Sequence, residues 1–139
     1  MIMNGRDFLD TNVVLYSLND SAPVKQKVAQ TLVARAIAGE FVISTQVLAE
    51  LAAIVMKKFA DRLTPRDLIA FLDTLTPIPI VKPDAEIVRR AVQADAAYHI
   101  GFYDGMIVAA AERAGCKRIL SEDLNAGQEY FGVEVTNPF

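Results

Sequence analysis

The segment Phe41-Val42-Ile43-Ser44-Thr45-Gln46-Val47-Leu48-Ala49-Glu50-Leu51-Ala52-Ala53-Ile54-Val55-Met56-Lys57-Lys58 holds a strand, a cap and a helix in succession. Phe41-Val42-Ile43 is a short apolar run and reads as a strand. Ser44 suits the N-cap of a helix that runs to about Lys58. The same alternation extends in both directions. Upstream, Phe8-Leu9 closes a first strand, a helical turn follows over 13–17, and 22–38 reads as a helix. Val24, Val28, Leu32 and Ala36 recur there every four residues, with Gly39 as the stop.

Downstream, Thr64-Pro65-Arg66-Asp67 resembles a helix start, with proline at the first position and an acid in the first turn. That helix ends before Pro77. A third strand follows over 78–81, and Pro79 inside it points to an edge or a weakly paired position. Further helices are predicted over 84–97 and 104–114, and further strands over 118–120 and 133–135. Strands alternating with helices need crossover connections, so the expected fold class is α/β: one 139-residue domain with a mostly parallel sheet covered on both faces. In such sheets, ligand sites lie beyond the carboxyl ends of the strands.

Composition narrows the functional classes. Apolar residues make up 53% of the chain, enough for a sizeable core. No apolar run approaches the ~18 residues of a membrane span. The first seven residues lack the basic and apolar regions of a secretory leader. The single cysteine, Cys116, excludes an intrachain disulfide and fits a reducing cytoplasm. A net charge of −3 argues mildly against a nucleic-acid partner. Clustered acids that bind cations would offset that objection, because the metal supplies positive charge locally.

The acids separate into two groups. Asp61, Asp67, Asp73, Glu86, Glu112 and Glu129 have polar neighbours or fall on helix faces open to water, and read as solvated charges. Asp10, Glu50, Asp104 and Asp123 have apolar surroundings or stand at strand ends. Asp10 follows the first strand and is either an N-cap or a site residue. Glu50 lies mid-helix among apolar neighbours, where a carboxylate is costly unless it is paired or metal-bound. A salt bridge or a place on a narrow exposed stripe would also account for it. Asp104 opens a helix that is apolar all round for two turns, and could also cap it. Asp123 stands just past a strand, where a simple turn acid is equally at home.

Together the four fall on or near the rim where an open parallel sheet builds its site. Converging carboxylates repel one another, and a hard divalent cation such as Mg²⁺ or Mn²⁺ is the usual resolution. One histidine, His99, and one cysteine cannot make a closed zinc site.

Four segments carry a family resemblance: Phe8-Leu9-Asp10-Thr11-Asn12, the run from Ser44 to Leu51, the run from Tyr103 to Ala111, and Leu120-Ser121-Glu122-Asp123-Leu124. In this order and spacing they resemble the PIN domain, and especially the VapC toxins of toxin–antitoxin pairs. The resemblance covers nearly the whole chain. It implies a three-layer α/β/α sandwich. It implies that Asp10, Glu50, Asp104 and Asp123 bind one or two Mg²⁺ or Mn²⁺ ions, with Asn12 and Ser121 supporting them. Gly105 is a small departure, since alanine is commoner there.

The implied activity is that of a type II toxin: an endoribonuclease that hydrolyses RNA phosphodiester bonds with metal-activated water. Asp10 and Asp104 are then expected as direct ligands of the principal ion. Glu50 either binds it through water or acts on water itself, and Asp123 completes the site or holds a second ion. Lys57, Lys58, Arg62 and Arg66 form a basic cluster that could carry the RNA backbone, and Arg89 and Arg90 form a second pair. His99 and Cys116 are expected outside the chemistry. Tyr16, Tyr103 and Tyr130 could stack bases or simply pack. The resemblance also implies a cognate antitoxin that blocks the site, and a homodimer. Two rival readings are a non-catalytic PIN-like binding module and a haloacid-dehalogenase-type phosphatase. The latter needs an acid two residues after the first Asp, where this chain has Asn12.

Overall fold

The computed structural model describes residues 5–139; residues 1–4, part of the segment read above for a leader, lie outside the described residues. The elements run β1 (Asp7–Leu9), α1 (Thr11–Tyr16), α2 (Pro23–Ile37), β2 (Phe41–Ser44), α3 (Thr45–Lys58), α4 (Pro65–Thr74), β3 (Ile80–Val81), α5 (Ala85–Tyr98), α6 (Phe102–Arg113), β4 (Arg118–Leu120), β5 (Glu129–Tyr130) and β6 (Val133–Thr136). The sheet order is β3-β2-β1-β4-β6-β5. Every pairing is parallel except β5 with β6. The architecture is the expected α/β/α arrangement around a mostly parallel sheet.

The central strands are buried as continuous apolar runs, as strands covered on both faces should be. Phe8, Leu9, Val42, Ile43 and Ile119 are fully buried. Register then places the functional ends. Phe8 pairs with Ile119 and Leu9 with Leu120, so the residues that follow, Asp10 and Ser121, leave neighbouring strands side by side. The Asp10 N–H still donates to the Leu120 carbonyl at 3.0 Å. Among the described residues, no helix is long and apolar enough to cross a membrane.

Several boundaries differ from the sequence reading. Helix α1 begins at Thr11, because Asp10 caps it. In α2 the buried stripe is Ala29, Leu32, Val33 and Ala36, whereas Val24 is 80% exposed. The four-residue repeat drifts off the buried face, since a helix turns in 3.6 residues. Strand β3 shrinks to the two residues after Pro79 and lies at the sheet edge, as that proline suggested. Helix α6 starts at Phe102 with Gly101 at its N-cap, so Asp104 lies inside the first turn and is not the cap.

Strand β5 has no counterpart among the strands expected from the sequence. Its two-residue turn into β6 places Phe131 (φ 51°) and Gly132 (φ 80°) in left-handed conformations. Hairpins favour such turns, but phenylalanine is an unusual first residue for one. Tertiary contacts hold it there. Its N–H donates to the Tyr98 hydroxyl at 3.0 Å, and the Arg90 guanidinium lies 3.5 Å over its ring.

Gly105 explains how α5 and α6 pack. A Cβ at this position would stand 2.7 Å from the Ala91 carbonyl oxygen, a backbone atom with little freedom to yield. The missing side chain lets the two helices cross closely beside Asp104. Gly105→Ala is therefore expected to cost about 1–3 kcal/mol by overpacking, in spite of alanine's better helix propensity. Urea unfolding of the variant checks this, and unchanged stability would mean that the helices separate freely.

Candidate active site

Two strand ends and two helices bring the four acids around one cavity of about 370 Å³. Asp10 is 5% exposed. One of its oxygens accepts from the Thr11 N–H and the other from the Ser121 hydroxyl, both at 2.8 Å. Its N-cap and site readings are thus compatible: the carboxylate that starts α1 also faces the cavity. Burial pushes its pKa up to about 6. The bonds from Ser121 and Thr11 oppose that rise, and repulsion from Asp104 and Asp123 adds to it.

Glu50 projects from α3 and is half-buried. The Gln46 amide donates to it at 3.0 Å, and the Thr11 hydroxyl makes a longer contact at 3.4 Å. Desolvation raises its pKa first, and the Asp10 charge adds to the effect. Asp104, half-buried in the first turn of α6, is raised by desolvation and then by Asp123 and Glu50. Asp123 is exposed on the loop after β4 and accepts from the Asn12 amide at 3.0 Å.

Ser121 and Asn12 tie these groups together. The buried Ser121 hydroxyl donates to Asp10 and accepts from the N–H groups of Asp123 and Leu124 at 3.2 and 3.3 Å. Asn12 donates to Asp123 and accepts from the Glu122 N–H at 3.0 Å. None of the four acids has an ion-pair partner among the described residues. A salt bridge therefore does not account for Glu50 there.

Such a set fits a hard divalent cation. Its donors are all oxygens, it is partly desolvated, and neighbouring charges help raise the pKa values of Asp10, Glu50 and Asp104. Among the described residues, no group of three or more acidic, histidine or cysteine side chains is arranged to hold a metal ion. A divalent ion held there would have one or two carboxylates as direct ligands and complete its shell with water.

The basic residues disperse. Lys58 lines the cavity. Arg62 pairs with Asp20 at 2.7 Å and lies over the Phe59 ring. Lys57 and Arg66 are exposed and do not line the cavity. Arg89 pairs with Glu86, and Arg90 makes a two-pronged pair with Glu112. Glu112 is thus a bound partner and not a free surface charge. Asp67 likewise closes a capping box with Thr64.

His99 ends α5 in a left-handed conformation and is exposed. Burial pushes the Cys116 thiol up to about 12, which leaves it inert. Tyr130 is fully buried, Tyr103 is exposed, and Tyr16 lines the cavity. Sequence reasoning passed over Gln46, whose amide also donates to the Tyr103 carbonyl at 3.0 Å and so links α3 to the start of α6. Its spacing of four from Glu50 was the available signal. It also passed over Glu122 and Lys25, which pair at 2.6 Å beside the cavity.

A family model described as the PIN domain matches residues 8–128. The chain belongs to the PIN domain family. Solved structures share the fold of this PIN domain. A DNA-bound VapBC from Salmonella typhimurium aligns with a TM-score of 0.71 and 18% identity, covering 100% of both chains. A toxin–antitoxin complex from Klebsiella pneumoniae aligns at 0.67 and 18% identity, covering 96% of this chain and 98% of that one. VapBC2 from Rickettsia felis, bound to a DNA fragment from the promoter, aligns at 0.65 and 18% identity over 94% and 97%. At these identities the likeness is one of fold. None of the curated proteins compared with this PIN domain matches it.

The raised pKa of Asp10 has a consequence for stability. The folded state holds the proton more tightly than the unfolded chain does. This carboxyl therefore favours folding most below its ordinary value of 3.8, and that advantage is lost as pH rises through about 6. A shift of this size corresponds to on the order of 3 kcal/mol. In EDTA, the Asp10→Asn variant is expected to gain stability relative to wild type between pH 4 and pH 7, because asparagine keeps the cap without the charge. Denaturant unfolding at both pH values measures it, and parallel pH profiles would remove the burial account.

Proposed function

We propose that this PIN domain is a metal-dependent endoribonuclease and the toxin of a type II toxin–antitoxin pair. The observation that carries the reading is the cavity with four acids and no ion-pair partner for any of them among the described residues. An arrangement that raises the free energy of the metal-free chain makes chemical sense if a cation completes it. The toxin–antitoxin complexes whose fold it shares support the same reading. So does family membership, since PIN domains are generally nucleases. The phosphatase alternative lacks its second acid at Asn12.

In this proposal Asp10 and Asp104 hold Mg²⁺ or Mn²⁺ directly, Glu50 contributes through water, and Asp123 completes the site. When bound, the ion supplies a Lewis acid that lowers the pKa of water and offsets charge on the phosphate oxygens. The chain's own groups do the positioning. Ser121 and the Thr11 N–H fix the two Asp10 oxygens. Asn12 orients Asp123, and Gln46 orients Glu50. Glu50, whose pKa desolvation raises, lines the cavity as the proposed proton acceptor. Lys58 lines the cavity and meets the phosphate backbone of RNA. The same opening admits a basic side chain of a cognate antitoxin, which would silence the acids by pairing with them. We further propose that the toxin works as a homodimer in the cytoplasm.

Incubation with transfer, ribosomal and messenger RNA in Mg²⁺, Mn²⁺ or EDTA tests the activity. Cleavage is expected only with metal, and Asp10→Asn or Asp104→Asn should lower it at least about 100-fold. Cleavage that survives EDTA and both substitutions would contradict the proposal. Lys58→Glu should weaken RNA binding and flatten its salt dependence. Unchanged affinity would remove Lys58 from the substrate path.

A further inference from the structure

The loop that carries Asp123 is held by side chains. Between Glu122 and Leu124, each backbone N–H donates to a side-chain oxygen, first of Asn12 and then twice of Ser121. Sheet hydrogen bonding resumes only around it, at Ser121 and Gly127. The position of Asp123 therefore depends on what grips its neighbours.

Glu122 is gripped twice more. Its Oε1 accepts from the Tyr16 hydroxyl at 2.7 Å, and its Oε2 from the Lys25 ammonium at 2.6 Å. Lys25 also lies 5.0 Å over the Tyr16 ring, so the three side chains brace one another. Tyr16 stands one helical turn beyond Asn12 and shares its face of α1. Helix α1 thus holds the loop at two points, the Glu122 backbone through Asn12 and its side chain through Tyr16. Lys25 adds a third point from α2.

Glu122 also lines the same cavity as the four acids. With both carboxylate oxygens engaged, it is kept from acting as a competing ligand. We propose that Lys25, Tyr16 and Glu122 form a clamp that presents Asp123, and not Glu122, to the metal site. This rests on the reading of Asp123 as a member of that site. Lys25 and Tyr16 are positioning residues: they act through Glu122 and the loop. The Lys25–Glu122 pair is partly exposed, with side-chain exposures of 41% and 26%. Exposed pairs contribute little to global stability. Its loss should therefore register in the site more than in the melting temperature.

The test uses the full chain and two readouts that need no cleavage. One is calorimetric titration with MnCl₂. The other is hydrogen exchange at the Glu122 and Asp123 amides in metal-free protein. Lys25→Met is expected to weaken Mn²⁺ binding roughly tenfold, as loss of an outer partner does, and to speed exchange at both amides. Lys25→Arg should restore both. In an Asp123→Asn background, Lys25→Met should cause no further loss of affinity. Unchanged exchange in Lys25→Met, or an equal loss of affinity with and without Asp123, would overturn the clamp. A wild-type chain that binds no Mn²⁺ would overturn the nuclease reading instead, and the exchange comparison would still decide the clamp.

Discussion

The hydrogen bond from the Ser121 hydroxyl to Asp10, 2.8 Å long and fully enclosed, couples the sheet to everything around the cavity. It joins the ends of β1 and β4, which register has already placed side by side. On one side, Asp10 starts α1 and so fixes the direction in which Asn12 and Tyr16 project. On the other, the same hydroxyl receives two N–H groups of the loop that bears Asp123. A single serine thereby sets a strand end, a helix start and a loop in mutual register. The strand pairing beneath it consists of buried apolar residues, which gives the polar layer a rigid floor.

That polar layer works against the fold. Asp10 loses water on folding and gains two hydrogen bonds in return, yet its pKa still rises to about 6. Desolvation outweighs the hydrogen bonds, and the neighbouring acids add to the strain. Glu50 and Asp104 rise for the same first reason. Buried polar groups and like charges of this kind are tolerated where function demands them, and the core must offset their cost. Around this cavity the compensation is uneven. Glu122 has Lys25 and Tyr16, whereas Asp10, Glu50 and Asp123 have only neutral donors and Asp104 accepts no side-chain hydrogen bond among the described residues. The contrast separates an acid paired within the structure from acids left without a counter-charge.

Much of this was legible in the sequence because contrasts between residues and their neighbours survive without a structure. Asp10 and Asp123 stand where apolar strands stop, and Glu50 interrupts an apolar helix. The parallel sheet followed from apolar runs alternating with capped helices, and the burial of α6 from its unbroken apolar surface. What escaped depends on partners distant in the chain. Phe131 adopts a left-handed turn because Tyr98 and Arg90 hold it, and no local signal marks that. Arg62 looked like part of a basic cluster until Asp20 claimed it. Glu122 looks like any loop acid, and only the packing of α1 and α2 shows what it grips. Asp104 does face the cavity, but its place in the helix was misread, because Gly101 caps α6 and moves the helix start back.

We propose that these carboxylates form one cation site. Crystals soaked in MnCl₂ near neutral pH, with diffraction recorded at the manganese absorption edge, test it most directly. The account predicts an anomalous peak inside the cavity, bounded by Asp10 and Asp104, with Asp123 or Glu50 reaching it directly or through water. A peak elsewhere on the surface, or a cavity whose acids stay apart and unbound at saturating manganese, would contradict it.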